Sequence, residues 1–229
     1  MRNIDYNLKT IVTIASALNG LEKEVVYVGG AVVNLYSNTT SVEDIRPTKD
    51  IDIGLNITTV GELETLRQEL NNRGFYQSIE DNVICRFRYE KILVDILSTE
   101  EVGWAPANRW FKPGFDFLNE VKIEKTKILI LSLPFFLASK FEAFNNRGID
   151  PRTSHDFEDI VYIFNNRKCL SEDLVSSPKI VREYLGEQIR KILSNSLHQE
   201  AIFGHLPYSL QEQKYELILE ELRIFLNSN

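Results

Sequence analysis

Cysteine is scarce in this chain: 229 residues hold only Cys85 and Cys169, far apart and in no spacing that ligates a metal. That pattern spells neither a disulfide framework nor a cysteine zinc site. Each cysteine has apolar neighbours, which predicts buried thiols, and an unpatterned pair fits a reducing, intracellular setting. Long hydrophobic runs are absent too. The most apolar stretch, Ile128–Ala138, contains Pro134 and is too short to span a bilayer. The first ten residues are polar and mixed in charge, without the pattern of a signal peptide. These features predict a soluble, cytoplasmic protein with no membrane partner. Positive charge is in deficit, 26 Lys and Arg against 33 Asp and Glu for a formal net of −7. Such a balance opposes broad, non-specific binding to nucleic acid. Local basic patches stay open, because Arg86, Arg88 and Lys91 cluster, as do Lys122, Lys125 and Lys127. Internal repeats and low-complexity segments are also missing. What is present, 43% apolar and 26% charged residues, is enough for a core without disulfides or structural metal.

Periodicity divides the chain into an α/β-patterned first part and a helical remainder. Asn7–Leu18 carries Leu8, Ile11, Val12, Ile14, Ala15 and Leu18 at helical spacing, and Gly20 ends it. Val25–Val28 reads as a short buried strand broken by Gly29-Gly30, after which Ala31–Tyr36 looks like a helix start. The polar stretch Ser37–Thr48, with Pro47, is a loop. Ile51, Ile53 and Leu55 alternate with Asp50, Asp52 and Gly54, the period of a half-buried strand. Thr59–Arg73 predicts an amphipathic helix with Val60, Leu63, Leu66 and Leu70 on one face. Phe75–Ile79, Val83–Tyr89 and Ile92–Leu97 predict a meander, and Ser98–Phe117 a long loop. Val121–Ile123 and Lys127–Leu131 predict a final hairpin. From Leu133 the pattern is helical, with Ser154 as a cap for Asp156–Phe164 and further helices at Ile180–Ser194 and Leu210–Leu226. The expected class is α+β, a mixed sheet with flanking helices followed by a C-terminal helical region. The boundary is placed at Ser132, giving domains 1–131 and 132–229.

Three aspartates carry the chemistry. On a strand, residues i and i+2 share a face, so Asp50 and Asp52 project side by side. Two carboxylates so placed either stay solvated or share a hard cation such as Mg²⁺, which takes oxygen ligands. Asp95 interrupts the apolar run Ile92–Leu97, so it is paired or ligand-bound. On a strand beside Asp52 it would complete a three-carboxylate cage, suited to clamping the oxygens of an in-line displacement. Gly29 and Gly30 after a strand permit close backbone approach, so that amides at the helix start hold a triphosphate. Alone, a DxD pair or a Gly-Gly turn says little; the order strand, Gly-Gly, helix, DxD strand, Asp strand is far more specific. Lys140 lies between Leu137 and Phe141 on an apolar helix, where an ammonium is either solvated at an edge or needs an anion such as phosphate. Asp156 and Asp159 read either as first-turn helix acids or as a further acidic motif. Trp104 and Trp110 fit a core, or a stacking wall for a base. His155 reads as a cap-region residue.

The runs VGGAVVNLY, RPTKDIDIGL and ILVDILST resemble the polymerase-β-type nucleotidyltransferase superfamily. The further runs ANRWF, LPFFLASKFEAFNNRG and SHDFEDIVYIFNNR resemble its AbiEii/AbiGii-type group, whose founding members are toxins of toxin–antitoxin systems. The likeness covers about Val25 to Arg167. It implies the polymerase-β-like fold, with the helical domain completing the nucleotide cleft. It also implies roles: Gly29 and Gly30 at the nucleotide phosphates, Asp50 and Asp52 on Mg²⁺ (or Mn²⁺), and Asp95 as third carboxylate, metal ligand and general base. Lys140 matches a helical lysine that contacts phosphate, Asp156 or Asp159 matches a further acid, and Arg46 and Thr48 match an R-x-T element facing the nucleotide. One departure stands out. Nineteen residues separate Gly30 from Asp50, and the extra length falls in Ser37–Glu43.

The activity implied is transfer of a nucleotide from an NTP to an acceptor hydroxyl, with release of pyrophosphate. RNA, especially a tRNA 3′ end, is one implied acceptor, and an antitoxin protein one implied partner. A second reading is nucleotidylation of a small molecule or a protein; the acidic balance suits cationic acceptors such as aminoglycosides. A third is a non-catalytic nucleotide sensor or partner-binding protein, which would have no need to retain Asp50, Asp52, Asp95 and Lys140 together.

Overall fold

The computed structural model describes residues 3–21, 23–39 and 47–228. Its elements run α1 (Asn3–Ala17), β1 (Val25–Val28), a 3-10 helix (Gly30–Tyr36), β2 (Asp50–Leu55), α2 (Val60–Asn72), β3 (Arg86–Tyr89) and β4 (Ile92–Ser98). Then come α3 (Phe111–Gly114), β5 (Leu118–Ile123), β6 (Thr126–Leu131), α4 (Leu133–Arg147) and α5 (His155–Asn166), followed by α6 (Leu170–Val175), α7 (Lys179–Ser194), α8 (Ser196–His205) and α9 (Gln211–Asn227). The chain forms two compact units, Met1–Leu35 with Asp44–Ser132, and Tyr36–Glu43 with Leu133–Asn229.

The first unit is built on one six-stranded mixed sheet, in the order β3-β4-β2-β1-β6-β5. β2 lies inside it because its alternation serves both faces: Ile51 and Ile53 are buried, while Asp50 and Asp52 sit on the half-buried side. It pairs antiparallel with β1, Val28 opposite Asp52, and parallel with β4, Asp52 opposite Asp95. β3 pairs antiparallel with β4 and brings Arg86 opposite Asp95. The buried stripe of α1 is Ile4, Asn7, Ile11, Ile14 and Leu18, so the expected apolar face carries one amide. α2 starts where Thr59 accepts a hydrogen bond from the Glu62 amide, and it buries Leu63, Leu66 and Leu70.

Several local expectations change: the strand expected at Val83–Tyr89 begins only at Arg86, α3 interrupts the loop expected over Ser98–Phe117, and Val60 on α2 is exposed. The segment after Gly29-Gly30 winds as a 3-10 helix; stiff Val32 and Val33 favour that over an α-helical start. Phe75–Ile79 is not a strand. Only Tyr76 pairs, through a bridge to Arg88, because the chain turns at once: the Asp81 amide donates to the Ser78 carbonyl and the Glu80 amide to the Ser78 hydroxyl.

The second unit is helical. α4 is buried from Leu133 through Phe141, and again at Phe144, as expected of a helix apolar all round. Phe144 packs on Phe157 of α5 with ring centroids 5.2 Å apart, and Tyr36 stacks on Phe136 at 4.3 Å. Ser154 caps α5, accepting from the Phe157 amide at 3.3 Å.

Candidate active site

A glycine and an aspartate lie tightly together in the sheet unit. Gly29 ends β1 with φ +71°, in the left-handed region where a Cβ is penalised. A Cβ on Gly29 would lie 1.8 Å from Asp52 Oδ2 and 2.6 Å from Asp52 Cγ. The Asp52 carboxylate is thus laid directly against the backbone of the glycine turn, in a place that only glycine leaves open. Gly30 opens the 3-10 helix immediately beyond.

Sheet register assembles the remaining groups. Asp50 and Asp52 share the half-buried side of β2, and Asp95 stands beside Asp52 on β4. Arg86 joins them from β3. Its Nε donates to Asp95 Oδ1 at 2.7 Å and its Nη2 to Asp95 Oδ2 at 2.7 Å, a two-toothed fork. The same Nη2 donates to Asp50 Oδ2 at 2.8 Å. The side chains are 17% (Arg86), 12% (Asp95) and 34% (Asp50) exposed, so solvent screens the fork only in part. Hydrogen bonds to Asp95 above all, with the charges of Asp95 and Asp50, hold the Arg86 guanidinium above its ordinary range against the opposing effect of desolvation. Cys85 is buried next in sequence; loss of hydration first, then the charges of Asp95 and Asp52, push its thiol up to about 11.

Thr48 turns away from solvent. Asn7 Oδ1 accepts from the Thr48 amide at 3.3 Å and from its hydroxyl at 3.2 Å, and both residues are buried. α1 therefore holds the approach to Asp50 through Asn7. Arg46, the other residue of the expected R-x-T element, lies outside the described residues, as do residues 40–43 of the expected insertion. Neither Asn7 nor Arg86 was picked out for the site from the sequence. The signal for Asn7 was available, as a lone amide at the helical spacing of buried Ile4, Ile11 and Ile14.

Do these residues suit a divalent cation? The donors of Asp50 and Asp52 are hard oxygens, and the opening at Gly29 receives one of the two carboxylates. These two fit such an ion. Asp95 gives both oxygens to Arg86, and among the described residues no group of three or more His, Cys, Asp or Glu is arranged to hold a metal. Arg86 thus bridges two of the three carboxylates, taking both oxygens of Asp95 and Oδ2 of Asp50, with Asp52 between them on the sheet.

In the helical unit, Lys140 is buried and has its anions within the chain. Its Nζ donates to Asp159 Oδ2 at 2.7 Å and Asp156 Oδ1 at 3.4 Å, and lies 5.8 Å from the centre of the Phe136 ring. Arg147 Nη1 donates to Asp156 Oδ2 at 2.5 Å. Two cations face two carboxylates, each aspartate side chain only 6% exposed. Both acids therefore do more than stabilise the first turn of α5.

The sequence profile described as "Nucleotidyl transferase AbiEii toxin, Type IV TA system" matches residues 17–228. The chain belongs to the AbiEii nucleotidyltransferase family. No curated protein sequence matches it. Its fold is that of solved nucleotidyltransferase-like proteins. One is the antigenic nucleotidyltransferase-like protein of Paracoccidioides brasiliensis, at 17% identity and TM-score 0.54, covering 90% of this chain and 97% of that one. Another is the antibiotic-resistance factor ANT(2'')-Ia, at 12% identity and TM-score 0.51, covering 82% and 96%. Family membership makes this AbiEii chain a nucleotidyltransferase, with a mixed sheet and flanking helices.

Other expectations resolve locally in the AbiEii chain. Trp104 and Trp110 are buried, and Trp104 donates to Glu64 at 3.2 Å with Phe87 at 5.5 Å, a core placement rather than an open stacking wall. The arginines expected in a basic patch are engaged by acids: Arg86 as above, and Arg88 by Asp81 at 2.8 and 2.9 Å. Lys127 pairs with Glu120 at 2.8 Å. His155 is exposed and meets Glu158 at 3.1 Å, as suits a cap region. Cys85 is buried as expected, but Cys169 is exposed. Its backbone takes φ 56° at the start of α6, a left-handed turn that puts Leu170 in the core and leaves the thiol outside. Among the described residues no helix is long and apolar enough to cross a membrane.

Proposed function

We propose that this protein transfers an NMP from an NTP to an acceptor hydroxyl, with Mg²⁺ or Mn²⁺ held by Asp50 and Asp52. The observation that carries this reading is the Asp52 carboxylate pressed against Gly29, where a Cβ would sit 1.8 Å from its oxygen. That contact puts a cation ligand next to the glycine turn, whose amides are the phosphate-binding groups. The acceptor oxygen bonds to the α-phosphorus as the α–β bridge breaks, and pyrophosphate leaves. When bound, the cation offsets the charge of the phosphate oxygens. Asp95 receives the hydroxyl proton: the Arg86 fork uses one lone pair on each of its oxygens and leaves others for a donor.

For the acceptor, the first reading is RNA, with a tRNA 3′ end as first candidate, and the family description, a toxin of a type IV toxin–antitoxin system, supports an antitoxin protein as partner. The net charge of −7 and the pairing of Arg86 and Arg88 with acids favour a second reading, in which the acceptor is a small cationic molecule such as an aminoglycoside. Labelled forms of all four NTPs, with Mg²⁺ or Mn²⁺, offered to total RNA, cell protein and aminoglycosides separate the two. Label in RNA alone ends the small-molecule reading. The Asp50→Ala/Asp52→Ala protein is expected to lose transfer by about a hundredfold to a thousandfold while staying folded, the usual range for removal of charge stabilisation. Full activity in that variant would refute the mechanism.

A further inference from the structure

Arg86 brings a fixed positive charge onto Asp95 and Asp50. In a two-metal site, a carboxylate shared by both ions neutralises them and is oriented by them. Here Asp95 is oriented and neutralised by a guanidinium: both of its oxygens lie in the fork, and the third bond of that fork reaches Asp50. The guanidinium cannot drift off easily. Arg86 is fixed opposite Asp95 by the β3–β4 register, and its side chain is largely enclosed. A planar fork of this kind matches a carboxylate in a way that a lysine ammonium does not.

We infer that Arg86 is a positioning residue that replaces a second metal ion, so that the site takes one divalent cation, on Asp50 and Asp52, and keeps Asp95 out of the metal's ligand set. The inference rests on the proposed nucleotidyl transfer and narrows it. One ion offsets the phosphates while Arg86, built into the sheet, holds the proton acceptor in place. Arg86 takes both oxygens of Asp95 but only Oδ2 of Asp50, so a divalent ion could reach Asp95 only by displacing the guanidinium, whose like charge repels it.

The test is Mn²⁺ titration of the full-length protein without nucleotide, followed by the electron paramagnetic resonance signal of free Mn²⁺. The native protein is expected to bind one Mn²⁺ per chain. Arg86→Gln removes the guanidinium charge and is expected to bind a second Mn²⁺, or to bind the first at least tenfold more tightly. Arg86→Lys keeps a charge and is expected to stay at one ion. Two Mn²⁺ on the native protein overturn the inference, and so does an Arg86→Gln protein with unchanged stoichiometry and affinity. The native measurement decides even where Arg86→Gln does not fold. Asp50→Ala/Asp52→Ala is the control on the parent reading. Mn²⁺ binding that survives it shows the cation site itself to be misplaced, and the role of Arg86 falls with it; binding lost there, with two ions on the native chain, refutes only the role of Arg86.

Discussion

Replacing Gly29 by alanine separates two costs that the structure puts on one atom. The first is conformational: at φ +71° an L-residue pays about 1–2 kcal/mol for the left-handed region. The second is a collision. The new Cβ would sit 1.8 Å from Asp52 Oδ2, where ordinary contact begins near about 3.5 Å, so the carboxylate must retreat by about 1.7 Å. β2 cannot move to absorb this, because it is hydrogen-bonded on both sides. Overpacking of this kind adds about 1–3 kcal/mol. Gly20 supplies the control: its φ is +76°, and nothing lies within 4 Å of its would-be Cβ. Gly20→Ala should therefore show the conformational cost alone, a melting temperature lower by roughly 2–8 °C, with native NMP transfer. Gly29→Ala should lose about 2–5 kcal/mol in denaturant titration. Displacing a metal ligand by more than about 1 Å should also cut transfer at least about a hundredfold. A Gly29→Ala protein that melts like Gly20→Ala and retains activity within twofold would refute the argument that this glycine exists to admit Asp52.

Lys140→Met leaves Asp156 and Asp159 buried without their ammonium, and should cost about 3–5 kcal/mol by chemical denaturation. Adding Asp159→Asn to Lys140→Met should recover part of that, and no recovery would show that the ion pairs are not what the lysine serves. Iodoacetamide at pH 8 should label Cys169 and spare Cys85 in the folded protein, as mass spectrometry would show. Burial holds the Cys85 thiol at about 11 when folded, against about 8.5 in an unfolded chain. Its contribution to stability is complete below about pH 8.5 and is lost as pH rises toward 11, because the unfolded form ionises first. Denaturation midpoints of Cys85→Ala should therefore fall less than native ones between pH 8 and 10.5.

Much of the sheet site was legible because it is written in short-range pattern. The alternation of Asp50, Ile51, Asp52 and Ile53 fixes which side chains share a face, and Asp95 announces itself by breaking an apolar strand. Arg86 was not legible. In sequence it stands between Cys85 and Phe87 near two other basic residues, and reads as surface charge. Its partners, nine and thirty-six positions away, are chosen by the pairing of β3 with β4 and of β4 with β2, which no local pattern encodes. Cys169 misled for the opposite reason: its apolar neighbour is buried, but a left-handed backbone sends the two side chains apart. The buried lysine pointed correctly to a need for anions. Only the fold shows that Asp156 and Asp159 meet that need inside the helical unit.

The strand that brings Arg86 to the aspartates is also an outer edge of the sheet. An edge strand is an invitation to neighbouring chains, whose backbones can pair with it and build aggregates. β3 is only four residues long, carries Arg86 and Arg88, and has its outer hydrogen bonds at Arg88 taken by Tyr76. Shortness, charge and a covered edge are the usual protections against such growth. The strand that orders the acidic cluster is therefore also protected against pairing with other molecules. The four residues that carry Arg86 to the aspartates are thus also the four that close this edge of the sheet.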